Sequence, residues 1–223
     1  MKRIAALSLC FCALLIAGPV SAMGGPAPKD DYKLEILKVE LVSGEATAEA
    51  GSSVEGKKVL LVVAPSKFDD KEFAAVKKTF EEAGLLVSVA STTKTAYGVF
   101  GAKVNCGLLK NAKAADYDAL IFIGGPGVTV YNHSETATGL IAKAVKEDKV
   151  IGGLSLAPIA LVNGGALGKG KKAAVSLYGK RALKGVGVNV TGRAVETDGK
   201  VVTGSGAEAA EEFAQAVITA LQE

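Results

Sequence analysis

Five apolar residues stand in a row at Val59-Leu60-Leu61-Val62-Val63, the pattern of a strand covered on both faces. Behind them Phe73, Val76, Phe80 and Ala83 recur at helical spacing, and Gly84 supplies a C-terminal stop. Leu86-Val87-Ser88-Val89-Ala90 predicts a second strand, and Asp118 to Ile123 another that ends in Gly124-Gly125-Pro126-Gly127. Ser134 is placed to cap a helix running to about Glu147. Val150-Ile151-Gly152-Gly153-Leu154 predicts a further strand, passing sharply into Pro158 and a short helix that ends at Gly164-Gly165. Val201-Val202-Thr203 and a helix from Ala207 to Leu221, with Phe213, Val217 and Leu221 on its apolar face, close the pattern. Strand–helix alternation with short links predicts an α/β fold: a doubly wound, mostly parallel sheet with helices on both faces. Ligands and chemistry in such sheets gather at the carboxyl ends of the strands.

The pattern upstream of residue 58 is different. Lys2 and Arg3 precede an almost wholly apolar run from Ile4 to Ala17, and Val20-Ser21-Ala22 provides small residues for cleavage. That layout predicts a secretory signal over residues 1–22, cleaved after Ala22, since the apolar run is short for a membrane span. No cysteine follows the cleavage point to take a lipid anchor. The expected mature chain is therefore extracytoplasmic, periplasmic or secreted, without stable membrane insertion. Residues 23–57 read as an extension and linker. Gly24-Gly25-Pro26-Ala27-Pro28 forms a flexible leader, and Tyr32, Leu34 and Ile36 alternate with charged residues as in one amphipathic strand. Glu45 to Gly56 has little to bury. Residues 58–223 form the α/β domain.

Composition narrows the chemistry. Without Lys2 and Arg3 the basic residues fall from 26 to 24 against 23 acids, and no basic stripe or aromatic platform marks a nucleic-acid surface. Cys10 and Cys12 lie in the leader, so Cys106 alone remains and no internal disulfide is available to the mature chain. One histidine and one mature cysteine leave no legible metal site, and no cofactor is expected. Gly165 to Lys171 has the spacing of a phosphate loop, but Lys172 stands where Ser or Thr is needed, and the segment follows a helix. It reads as a basic turn. Gly124-Gly125-Pro126-Gly127 lacks the later glycine of a dinucleotide fingerprint.

Gly153-Leu154-Ser155-Leu156-Ala157-Pro158 carries the most information. A buried strand runs straight into a helix with a hydroxyl at the turn, close to the G-x-S-x-G elbow that lifts a nucleophile out of a sheet. Backbone N–H groups at such a turn point toward a developing oxyanion. The α/β-hydrolase triad requires its histidine after the serine, whereas His133, the single histidine, precedes Ser155. That triad is excluded.

Together these residues carry a resemblance. The run from Val59 to Leu221 resembles the ThiJ/PfpI superfamily, a flavodoxin-like group related to class I glutamine amidotransferase domains, with deglycase, peptidase and glyoxalase-like members. The matching stretches are Phe68-Asp69-Asp70-Lys71-Glu72, Phe80-Glu81-Glu82-Ala83-Gly84 and Asp116-Tyr117-Asp118-Ala119-Leu120. Gly124-Gly125-Pro126-Gly127, the elbow with Ala157-Pro158, and Asp198-Gly199-Lys200-Val201-Val202-Thr203 complete them. The resemblance implies a homo-oligomer, an oxyanion hole from the amides of Gly125 and Leu156 beside Gly124, and an acid after the first strand that contacts the nucleophile. Asp69 matches that acid best if one residue is inserted before it, with Asp70 and Glu72 as competitors.

This sequence departs from the pattern where it matters. The family's nucleophile is a cysteine, often followed by histidine; here Ser155 and Leu156 take those positions. A serine hydroxyl is far less acidic than a thiol and needs a positioned base. His133, in Tyr131-Asn132-His133-Ser134, is one candidate base and equally a residue of a helix start. Cys106 lies away from any elbow and reads as an inert, half-buried thiol or a redox-sensitive one. The expectation is a non-catalytic or vestigial domain that binds a small molecule or partner in the inherited pocket. The alternative is a serine-dependent hydrolase, or a glyoxalase-, deglycase- or peptidase-like enzyme, in which Ser155 attacks small carbonyl or acyl substrates, assisted by Asp69 or His133.

Overall fold

A computed structural model describes residues 53–223; the leader, its cleavage point and most of the extension lie outside the described residues. The apolar run at the start of the domain becomes β1 (Lys58–Val62), whose Val59, Leu60, Leu61 and Val62 are all buried. Such a strand needs neighbours on both edges and cover on both faces. It has parallel partners on either side, β3 (Leu86–Ser91) and β7 (Ala119–Phe122). The sheet continues from β7 to β8 (Val150–Leu154) and β12 (Val201–Gly204), both parallel, and ends in the antiparallel β11 (Val195–Asp198). On the other edge β3 pairs with the short β6 (Gly107–Leu108). The resulting order is β11-β12-β8-β7-β1-β3-β6, a mostly parallel sheet as the alternation predicts.

Three connections and the C-terminus supply the α-helices. α1 (Asp70–Glu82) links β1 to β3, and α2 (Glu135–Lys146) links β7 to β8. α3 (Pro158–Asn163) and α4 (Lys180–Gly185) follow β8, and α5 (Ala210–Gln222) closes the chain. The path runs from β1 outward through β3, then returns to β7 and moves the opposite way through β8. Right-handed crossovers in opposite directions put their helices on opposite faces of the sheet. The reversal lies between β1 and β7, the switch point where such folds collect function. Gly152 in β8 shows why a glycine pair interrupts a buried strand: a Cβ there would lie 2.7 Å from both Ile121 and Phe213. The absent side chain lets α5 pack close to the sheet.

Several short strands have no counterpart in the apolar pattern. β2 (Ser66–Phe68), β4 (Thr95–Gly98) and β5 (Lys103–Asn105) form a separate three-stranded sheet, and β9 (Lys172–Ala173) pairs with β10 (Asn189–Val190). Each is too short to display a period in sequence. The Gly165–Lys171 segment is a pair of turns entering β9, with Gly165 and Gly170 at φ +81° and +84°.

Candidate functional site

Ser155 directly follows β8 and has φ +56°, a left-handed conformation that costs a non-glycine residue about 1–3 kcal/mol. Hydrogen bonds on both sides hold it there. Its N–H donates to Gly204 O in β12 at 2.9 Å, and its carbonyl accepts from Ser176 N at 3.1 Å. Ala157 N donates back to Leu154 O at 2.9 Å, closing the turn, and Pro158 opens α3 where no N–H is needed. The serine is partly exposed.

The loop after β7 arrives from the other side of the switch point. Gly124 N donates to Glu72 Oε2 at 2.7 Å. A Cβ on Gly124 would stand 2.6 Å from Glu72 Oε2, 2.6 Å from Ser155 Cβ and 2.7 Å from Leu154 O, so glutamate, glycine and serine meet at this point. Gly125 has φ +98°, and a Cβ there would lie 2.5 Å from Asp69 N. Among the described residues neither the Gly125 N–H nor the Leu156 N–H donates to a protein acceptor. Two amides next to the elbow are thus without a protein partner.

The acid at the elbow is Glu72. It is 1% exposed, and its carboxyl is pushed up to about 8 by burial first and by the nearby Asp69 charge second, with the Gly124 amide opposing. It therefore carries a proton at neutral pH. Asp69, the best match by spacing, is engaged elsewhere: its side chain caps α1, accepting from Lys71 N and Glu72 N at 3.0 Å each. Asp70 serves the small sheet, accepting from Phe100 N at 2.8 Å and Ala102 N at 2.7 Å. Burial acts to raise its pKa, but these backbone donors outweigh it and hold the carboxyl below its ordinary value. The spacing Asp69-x-x-Glu72 is itself that of an N-cap and its N3 residue, a signal that identifies Asp69 as the cap and turns Glu72 back toward the helix start.

His133 is exposed, in the turn before the Ser134 cap of α2. Asn163 Nδ2 donates to Asn132 O at 2.6 Å, which ties this turn to the far end of α3, about 9 Å of helix rise from the elbow. The structure brings Ser155, Gly124, Gly125 and Leu156 together and adds Glu72. It brings neither the Asp69 carboxylate nor an imidazole to them. Cys106 is half-buried, with its thiol donating weakly to Val104 O at 3.5 Å and its pKa pushed up by burial, far from thiolate character. Ser176, which nothing in the sequence singled out, adjoins the elbow through its backbone, and its buried Oγ has no partner. Among the described residues no cluster of three potential metal ligands occurs, and no helix is long and apolar enough to cross a membrane.

A left-handed serine directly after β8, a glycine loop after β7 and a buried acid beside them stand at the switch point of a flavodoxin-like domain. The chain belongs to the DJ-1/PfpI family, whose sequence profile matches residues 57–220. An uncharacterised protein of Methanocaldococcus jannaschii is 32% identical over 179 residues, covering 78% of this chain and 87% of its own length. An uncharacterised protein of Staphylococcus aureus is 28% identical over 171 residues, covering 74% and 99%. Among solved structures, the ThiJ/PfpI domain protein of Brachyspira murdochii superposes with a TM-score of 0.72 at 26% identity, covering 75% of this chain and 97% of its own. Drosophila melanogaster DJ-1beta shares the fold, with a TM-score of 0.66, 21% identity and coverage of 73% and 89%.

Proposed function

We propose that this is an exported DJ-1/PfpI-family domain whose elbow is chemically silent and whose inherited pocket binds a small molecule. One observation carries the reading: among the described residues the acid that meets Ser155 at Gly124 is Glu72, which keeps its proton at neutral pH and so cannot deprotonate an alcohol. The Lys2–Ala22 leader supports export to the periplasm or medium, and the family supports a homo-oligomer. The test is turnover of peptide, ester, glyoxal and glycated-amine substrates by the purified protein at pH 7, with intact mass giving the mature N-terminus. No turnover above that of Ser155→Ala, and a chain beginning at Met23, are expected. Turnover that vanishes in Ser155→Ala overturns the silent elbow, and an uncleaved leader overturns this route of export.

The open amides of Gly125 and Leu156 favour a second reading, a serine-dependent hydrolase in which they hold the oxyanion. Ser155 would then need Glu72 in its ionised form, so activity would appear only as pH rises through about 8. A fluorophosphonate probe that labels Ser155 above that pH supports it; an unlabelled serine throughout rules it out.

A further inference from the structure

Beside the elbow lies a cleft of about 390 Å³ that the family's site residues do not account for. It is walled by Ser176, Leu177, Tyr178, Lys180, Arg193 and Ser205. Two of these walls are joined to Ser155 by backbone. Ser176 donates to its carbonyl, and Ser205 directly follows Gly204, which accepts from its N–H. These backbone hydrogen bonds tie the cleft to the turn.

The chemistry of the walls is one-sided. Lys180 and Arg193 bring two cations, and no acid lines the cleft. Arg193 is 74% exposed and has one acidic neighbour, Glu196, whose Oε2 stands 3.8 Å from Nη1, too far for a hydrogen bond. The two charges form an ion pair without a hydrogen bond, so among the described residues the donors of the exposed guanidinium fork have no acceptor, and forks of this kind recognise carboxylates bidentately. Leu177 and Tyr178 are 74% and 87% exposed, an unusual surplus of apolar surface at the rim of a polar pocket.

We propose that this cleft is a binding site for a small organic carboxylate with an apolar or aromatic body. The carboxylate engages Arg193 and Lys180, and the body lies against Leu177 and Tyr178. This deepens the reading of a ligand-binding pocket by naming the ligand class and the residues that select it.

Benzoate and its neutral isostere benzamide are the probes, titrated at millimolar concentration into the isotope-labelled protein and followed by amide resonances. Benzoate is expected to saturate, shifting Ser176, Arg193 and Ser205, with benzamide at least about tenfold weaker. Arg193→Gln is expected to weaken benzoate about tenfold, and Arg193→Lys, which keeps a cation beside the buried Glu196, less. Equal binding of benzamide, no saturable benzoate binding, shifts confined to other residues, inorganic phosphate binding as tightly as benzoate, or indifference to Arg193→Gln each overturns the proposal. Ser155-dependent turnover would instead overturn the silent elbow and leave the carboxylate site standing.

Discussion

At the scale of single residues, the site turns on what surrounds one oxygen. Ser155 sits in a conformation that glycine adopts freely, so Ser155→Gly should stabilise the protein by about 1 kcal/mol, raising the melting temperature by about 3 °C. A lower melting temperature would mean that the hydroxyl is held by contacts worth more than the strain. Replacing the oxygen by sulfur tests the cradle separately. In Ser155→Cys, the new thiol lies near the open amides of Gly125 and Leu156, whereas burial pushes Cys106 upward. Iodoacetamide at pH 7 should alkylate residue 155 about tenfold faster than Cys106, read by peptide mass. Equal rates would show that the turn gives no assistance to an anion. The acid at this turn illustrates where sequence reasoning stops. Matching by offset from the first strand favours Asp69, but a helix start takes the nearest short acid as its cap and leaves the residue three places on to face inward. Offsets count positions; capping decides directions.

Elements differ in how plainly they announce themselves. β1, β7 and β8 are buried on both faces, so unbroken apolar runs mark them, and α1, α2 and α5 bury one stripe each, so helical spacing marks them. The β2-β4-β5 sheet is invisible by the same logic. Its strands are three or four residues long, and Tyr97 faces solvent beside exposed Val99 and Phe100, so neither length nor alternation reports it. Ser176 was illegible for a related reason: a two-residue strand, β9, carries it back over the sheet to the elbow. The cap of α1 provides a test at this scale. Asp69→Ala should cost about 1 kcal/mol in urea unfolding, since Lys71 and Glu72 N–H lose their acceptor. It should also lower the pKa of Glu72, because the Asp69 charge is one of the two causes that raise it. A variant as stable as the parent would deny the capping role.

For the molecule as a whole, one buried carboxyl imposes a pH dependence on folding. The folded pKa of Glu72, about 8, lies above its ordinary 4.5, so between these values the folded state holds a proton that the unfolded chain has released. The contribution is fully present below pH 4.5 and is lost as pH rises toward 8, at up to about 1.4 kcal/mol per pH unit. Urea midpoints of the parent should therefore fall across this window relative to Glu72→Gln, which keeps a neutral hydrogen-bonding side chain and no titration. Parallel curves for the two proteins would place the proton elsewhere.

The clamp on Ser155 also bears on the order in which the chain assembles. The acceptor for its N–H is Gly204, and the donor to its carbonyl is Ser176, both from segments made later. A polypeptide that emerges from its N-terminus can complete β1, β3, β7 and β8 before either arrives. Until the last parallel strand docks, residue 155 is free to relax into an ordinary backbone conformation. The strained turn is thus a late signature of a finished fold, and a chain truncated ahead of β12 carries the serine without its poise.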